Sequence, residues 1–478
     1  MRAPVLRVPA PGGVLRAHAL PLAVAAVCGL TVLVGWIARA AGVVWGTPLQ
    51  PFLGTRGLDV EWAWAIGALV VLGLCVWQAV RVVAPGHGSP RAFILWALGL
   101  ALLSRLALNT VRLGPAGWTD MFAGSPEASN EYLPALPATQ DGLGLFLDRF
   151  AEWLPALPVH TAGHPPGLIT TMVALGIDDA AGLAALIIGV GVLTAPLTYW
   201  VGRELADERA ARLATVLWIF APSALLYGAS AADALFATLG MAAAAVLVRR
   251  PLACKGPGEL HRATGGWGHA RNAGDHAAAR AVRSTAAALR RFALPVGAAL
   301  LAVASFFAWS LLGMAAFAAF VVWGRDGLRR AIVLGVLCAG ALVAFYAGLW
   351  ALTGYDAIGS LRRVEEVYRF SVASVRPWAF WLFGSPAAFL IGAGLPVLWF
   401  AALAVQRRHR GAVAIAGVIV IASVLGFTKA ETERIWLSFL PLVCLAAATV
   451  LPRRWVAPAL AVMVLQAYLT QMFVYTVW

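Results

Sequence analysis

Apolar runs long enough to cross a bilayer, at roughly 20 residues each, recur along most of this 478-residue chain and alternate with short arginine clusters. Lipid offers the backbone no hydrogen-bond partner, so runs of this kind fold as helices that satisfy their own peptide groups. The expected class is therefore an all-α, polytopic membrane protein. Composition agrees: a soluble domain is roughly 45–50% apolar and about 25% charged. This chain is 61% hydrophobic and 12% charged, with mean hydropathy +0.81. A soluble enzyme, a disordered chain and a nucleic-acid-binding domain are excluded. The net charge of +14 sits between apolar runs, where it reads as the positive-inside rule and attraction to anionic headgroups. Lys255 and Lys429 are the only lysines. Five scattered cysteines without a CxxC spacing predict neither a disulfide framework nor a metal site.

Arginine placement orients the runs, with the N-terminus cytoplasmic. Runs at 19–44, 61–83 and 92–112 end outside and lead into a long outer loop that opens at 113. Residues 166–177 are too short to span and are read as a half-helix on the outer surface, which extends that outer region to 179. That choice lets 180–202 cross inward and puts Arg203, Arg209 and Arg212 in the cytoplasm. Runs at 209–227 and 231–248 follow, then a basic, Gly- and His-containing cytoplasmic loop at 249–291. Runs at 292–307, 309–323, 331–352, 379–405, 411–427, 435–451 and 456–476 complete about thirteen spans, with a further outer loop at 353–378. Residues 1–91 form an N-terminal pair of spans, and 92–478 the main membrane domain.

With this topology the unusual polar residues gather on the outer side. The first loop holds Asp120, Glu127, Asn130, Glu131, Asp141, Asp148, His160 and His164. Solvation at the boundary accounts for Glu127, Asp141 and Asp148. It accounts less well for a long loop that keeps aromatic residues between its charges. Residues 144–157 (GLFLDRFAEWLPAL) have apolar residues at helical spacing and read as an amphipathic helix lying on the membrane. His160 and His164 stand four apart, but Gly163 and Pro165–Pro166 argue against a helical metal pair. The prolines pre-set the chain for the half-helix and put His164 near a helix N-terminus, where an anion is favoured. Asp233 stands at an outer helix end, either solvated or orienting an acceptor. In the late TKAETERIW segment Arg434 adjoins an apolar run, at the depth of a lipid phosphate. Arg362, Arg363, Arg369 and Arg376 are further cations on this side, or helix-surface partners of Glu365 and Glu366.

In order and topology these motifs resemble the GT-C superfamily of integral-membrane glycosyltransferases. They are most similar to the protein mannosyltransferase and aminoarabinose transferase branch. The resemblance rests on Asn130-Glu131-Tyr132, His164-Pro165-Pro166-Gly167, Pro222 through Asp233, and Lys429 through Trp436. It covers roughly residues 92–450. That branch usually has an Asp-Glu pair where this chain has Asn130-Glu131, so the catalytic carboxylate stays open between Glu131 and Asp120. The resemblance implies a polyprenyl-phosphate-linked sugar as donor and inverting transfer to a hydroxyl of a glycan, lipid or protein acceptor. The reaction would lie at the outer face of the plasma membrane. It implies Arg434, Lys429 and His164 as donor-phosphate contacts, and Asn130, Tyr132, His160, Asp233 and Glu433 as substrate-orienting groups. No cofactor is required by the motifs; a divalent metal stays open. The rival readings are a transporter or flippase for a lipid-linked or anionic solute, and a non-catalytic membrane scaffold. A transport path places charges near the bilayer midplane, whereas the acids here lie at the outer edge.

Overall fold

The computed structural model describes residues 16–83, 88–249 and 293–476. The basic segment from residue 250 on lies outside the described residues, as does Cys254. The chain is a helical membrane protein, and its only named strands are the pair Thr55–Arg56 and Val474–Tyr475 among the described residues. Among the described residues six helical segments are long and apolar enough to cross a bilayer. They are α1 (Ala19–Ala40), α2 (Trp62–Val82), α3 (Pro90–Asn109), the pair α4 and α5 (Ala180–Gly191 and Thr194–Leu205), α9 (Leu328–Thr353), and the segment Arg453–Phe473. The last contains α15 (Val456–Phe473).

The remaining apolar runs are cut into shorter helices, and local sequence explains the cuts. Pro222 disfavours helical backbone at the residue before it, so α6 (Glu208–Phe220) stops and Ala221 turns extended. The run predicted as one span at 379–405 is two helices, α11 (Trp378–Gly392) and α12 (Leu395–Gln406), bent by 113°. Gly394 at φ +106 makes that corner, and Pro396 then suits the first turn of α12. Three further apolar helices are short for a bilayer: α7 (Asp233–Leu247), α8 (Ala293–Ser305) and α13 (Arg410–Leu425). The 435–451 run contributes α14 (Leu440–Ala448).

Packing sorts these helices by solvent. α14 is buried throughout, whereas α9 shows Val343 at 70% and Leu352 at 85% exposure. An apolar helix so open to its surroundings requires lipid around it. α1 packs on α11 and α12, and α2 packs on α3 and α15. The N-terminal pair is thus part of the bundle rather than an appendage to it.

The first loop is a chain of short helical turns. Its 144–157 stretch is broken at Asp148–Arg149 rather than continuous. Two of its apolar residues, Phe146 and Phe150, are fully buried against protein and meet edge to face, and Phe150 packs on Tyr355. The 166–177 stretch forms the short helix Gly167–Leu175, closed by Gly176 at φ +66. Its first N–H donates to the Phe306 carbonyl at 2.9 Å.

Candidate functional site

Three loop regions and one helix start meet in a buried polar cluster. The late segment enters through Ala430 and Glu431, both left-handed at φ +65 and +58. Such backbone is costly without glycine and is found where surrounding contacts hold it. Here it swings Thr432–Ile435 inward, and the Thr432 hydroxyl donates to the Ser385 carbonyl at 2.6 Å. Glu433 and Arg434 are left about 5% exposed.

Arg434 bridges two acids. Its Nη1 donates to Asp233 Oδ2 at 2.6 Å and its Nη2 to Glu431 Oε2 at 3.0 Å. Asp233 is the first residue of α7 and only 3% exposed. The other oxygen of Glu431 accepts from Arg376 Nη2 at 2.8 Å. Arg376 in turn donates to the Lys429 carbonyl at 2.6 Å, and the Lys429 N–H donates to the Tyr368 hydroxyl at 2.9 Å. The result is a continuous relay, Asp233–Arg434–Glu431–Arg376, of charge-assisted hydrogen bonds.

The first loop supplies the second half. Glu131 is 2% exposed. His160 Nε2 lies 3.5 Å from Glu127 Oε1 and 3.8 Å from Glu131 Oε1. The Asn130 amide donates to Glu127 at 3.1 Å. The two halves act on each other electrostatically: Arg434 feels Glu131, Glu431 feels His160, and Tyr132 feels Glu131, Asp233 and Arg434.

Protonation follows from burial set against these charges. Burial raises the Glu431 carboxyl, but Arg434 and Arg376 outweigh it and hold the group down at about 2. Glu433 has only a weaker pull from Arg434. Burial lifts it to about 7; the Leu53 N–H opposes that rise, and the charge of Glu431 adds to it. Burial pushes His164 down to about 3, with His160 and Arg434 acting the same way. Arg434 is weakened by burial but held above its ordinary value by Asp233, Glu431 and Glu131. Tyr132 is pushed up, first by burial and then by Glu131 and Asp233.

The structure shows the surroundings of the residues read from sequence. Arg434 was assigned to a lipid phosphate, yet its guanidinium is enclosed by carboxylates. His164, neutral at neutral pH and packed on Phe236, brings an N–H rather than a charge. Asp120 stands apart from Arg434: it is half-buried near Tyr475, and burial raises its carboxyl. Lys429 contributes backbone contacts to the relay. Glu127 is a partner of His160, not a bare boundary charge. Glu431, passed over for Glu433, is the hub between two guanidiniums. Among the loop arginines, Arg363 and Arg369 pair with Glu366 and Glu365 on an exposed helix face, while Arg376 joins the cluster. Arg376 is too far along the chain for helical pairing with Glu365 or Glu366, which is the one sequence sign of its different role. Among the described residues no three His, Cys, Asp or Glu side chains are placed to hold a metal ion.

The segment between α1 and α2 also reaches the cluster. Leu53 N–H donates to Glu433 Oε1 at 3.1 Å, and Trp381 Nε1 donates to the Trp45 carbonyl at 3.1 Å. Gly46, at φ +84, lies against Arg376, so close that a Cβ there would stand 2.5 Å from Arg376 Cγ. Comparison of the chain with protein-family models, curated proteins and solved structures returned no match.

Proposed function

We propose that this cluster is the active site of a glycosyltransferase of the GT-C kind that uses a polyprenyl-phosphate-linked sugar. In this reading the shorter apolar helices complete about thirteen crossings, the N-terminus is cytoplasmic, and the cluster opens to the outer face of the plasma membrane. One observation carries the proposal. Glu131, His160, Asp233 and Arg434 come from separate stretches of the chain and are buried together. Isolated buried charges are expensive, and a convergence of acids and guanidiniums is a common way to prepare a site for proton transfer.

Glu131 is the base. It takes the proton of the acceptor hydroxyl as that oxygen bonds to the anomeric carbon and the carbon–phosphate oxygen bond breaks. The polyprenyl phosphate leaves as an anion and needs cations rather than a proton. Because Arg434 is committed to Asp233 and Glu431, its part is to hold those acids in place. The Lys429 ammonium meets the departing phosphate, and Arg376, beside the Lys429 carbonyl, supports it. His160 lies beside Glu127 and Glu131 and steadies the charge on the base. His164 and Asn130 offer N–H groups to the sugar hydroxyls.

The test is direct: purified protein, a panel of radiolabelled polyprenyl-phosphate sugars, and a crude cell-envelope acceptor. Label should move to the acceptor with at least one donor and fail to move in Glu131→Gln. Full transfer by Glu131→Gln, or none from any donor in a protein shown to be folded, would refute the proposal.

A further inference from the structure

Arg105 stands towards the C-terminal end of α3 and is completely buried. Its guanidinium lies 4.6 Å from the centre of the Trp218 ring. Its Nη1 comes no nearer than 3.5 Å to the Gly228 carbonyl, at the edge of hydrogen bonding. Among the described residues no carboxylate pairs with it. Nε and Nη2 of Arg105, and Nε1 of its neighbour Trp218, are buried without a hydrogen-bond partner.

All these unmatched groups are donors, and one belongs to a cation. Buried donors are matched in nearly all folded proteins, and exceptions point to a bound water or ion. Water could accept these hydrogen bonds but would leave the charge uncompensated in a medium of low polarity. The carbonyl ends of nearby helices offset part of it. Gly191, the last residue of α4, faces Nη1, and each helix end carries about half a negative charge. Those carbonyls leave Nε and Nη2 unmatched. Glycine also lets the backbone come close to the guanidinium. A Cβ at Gly228 would lie 2.6 Å from Nε, and one at Gly191 would lie 3.1 Å from Nη1.

We propose that Arg105 and Trp218 hold a small inorganic anion, of halide size, within the helix bundle. A small spherical monovalent ion suits the donors that the nearby carbonyls leave unmatched. Gly228 lies in the segment that leads into Asp233, so the ion would brace the backbone beneath the polar cluster. The site does not depend on glycosyl transfer and is tested without it.

The full-length protein is purified in detergent with gluconate as the only anion. Chloride, bromide or phosphate is then titrated while the thermal midpoint is followed. Chloride and bromide should raise the midpoint saturably and phosphate should not. Trp218→Phe keeps the ring and loses one donor to a charged acceptor, which should weaken halide binding roughly tenfold or more. Arg105→Gln should abolish the halide response. If Arg105→Gln does not fold, anomalous scattering from bromide-soaked wild-type crystals gives a separate reading, with a peak expected beside Arg105. An equal halide response in Trp218→Phe and Arg105→Gln would overturn the proposal. So would a wild-type midpoint indifferent to halide, or bromide absent from Arg105.

Discussion

Arg434 offers the sharpest test of how the cluster is held. Its two nitrogens grip Asp233 at 2.6 Å and Glu431 at 3.0 Å, and all three side chains are nearly or wholly out of solvent. Arg434→Ala therefore leaves Asp233 buried beside other acids with its cation gone. Breaking a buried pair from one side costs about 3–5 kcal/mol, a large share of the roughly 5–15 kcal/mol that holds a typical protein folded. Removing Asp233 as well takes away the stranded charge, and Glu431 keeps Arg376. The double variant Asp233→Ala/Arg434→Ala should thus be more stable than the sum of the two single losses by about 2–3 kcal/mol, far outside the 0.5 kcal/mol scatter of independent sites. Denaturant unfolding of the full chain in mixed micelles measures all four corners of the cycle. A single variant within about 1 kcal/mol of wild type, or strictly additive losses, would refute the view that Arg434 serves first to neutralise its acids. Arg434→Lys keeps the charge but loses the two-pronged grip, and should fall between the extremes.

Glu131→Gln should lower transfer by about 100- to 10,000-fold, the usual worth of a general base, while donor binding followed by equilibrium filtration stays near normal. The pH dependence of stability tests Glu433 and His164 together. Glu433 is raised from 4.5 to about 7, so its contribution is full below 4.5 and lost as pH rises towards 7. His164 is lowered from 6.5 to about 3, so its contribution is full above 6.5 and lost as pH falls. Between pH 4.5 and 6.5 the two oppose each other, and wild type should change little. Glu433→Gln should then gain stability with rising pH and His164→Gln should lose it; parallel thermal profiles for all three proteins would contradict both assignments. Gly46→Val meets both a left-handed backbone and the Arg376 side chain; a cost of about 1–3 kcal/mol is expected, read in the same unfolding assay. Arg369→Ala, on an exposed helix face, should stay within about 1 kcal/mol of wild type.

The helical membrane character was legible because apolar length leaves few alternatives. Where runs break was partly legible: Pro222 and the Gly394-Leu395-Pro396 corner are strong signals, yet the continuous hydrophobicity of 379–405 hides the second. Asp233, Glu131 and Arg434 stood out by type and position. Their pairing did not, since Asp233 and Arg434 are 201 residues apart and charge alone names no partner. Glu431 was hidden for a different reason: two non-glycine residues in left-handed backbone have no sequence mark, and that turn decides which acid faces the guanidiniums. The Leu53 contact is made by a main-chain N–H that almost any residue supplies, so no side chain could announce it. Arg105 passed as one charge in an apolar run, and only the burial of its surroundings reveals that it lacks a counter-charge.

The short ladder between Thr55–Arg56 and Val474–Tyr475 has a bearing on biogenesis. The strap that reaches Glu433 and Arg376 is made before most of the described helices, while the strand that pairs with it is made after them. Until then the cluster lacks one wall. A chain cut before residue 474 would carry the earlier helices but not the strand that pins this strap, so its polar centre would stay open on that side.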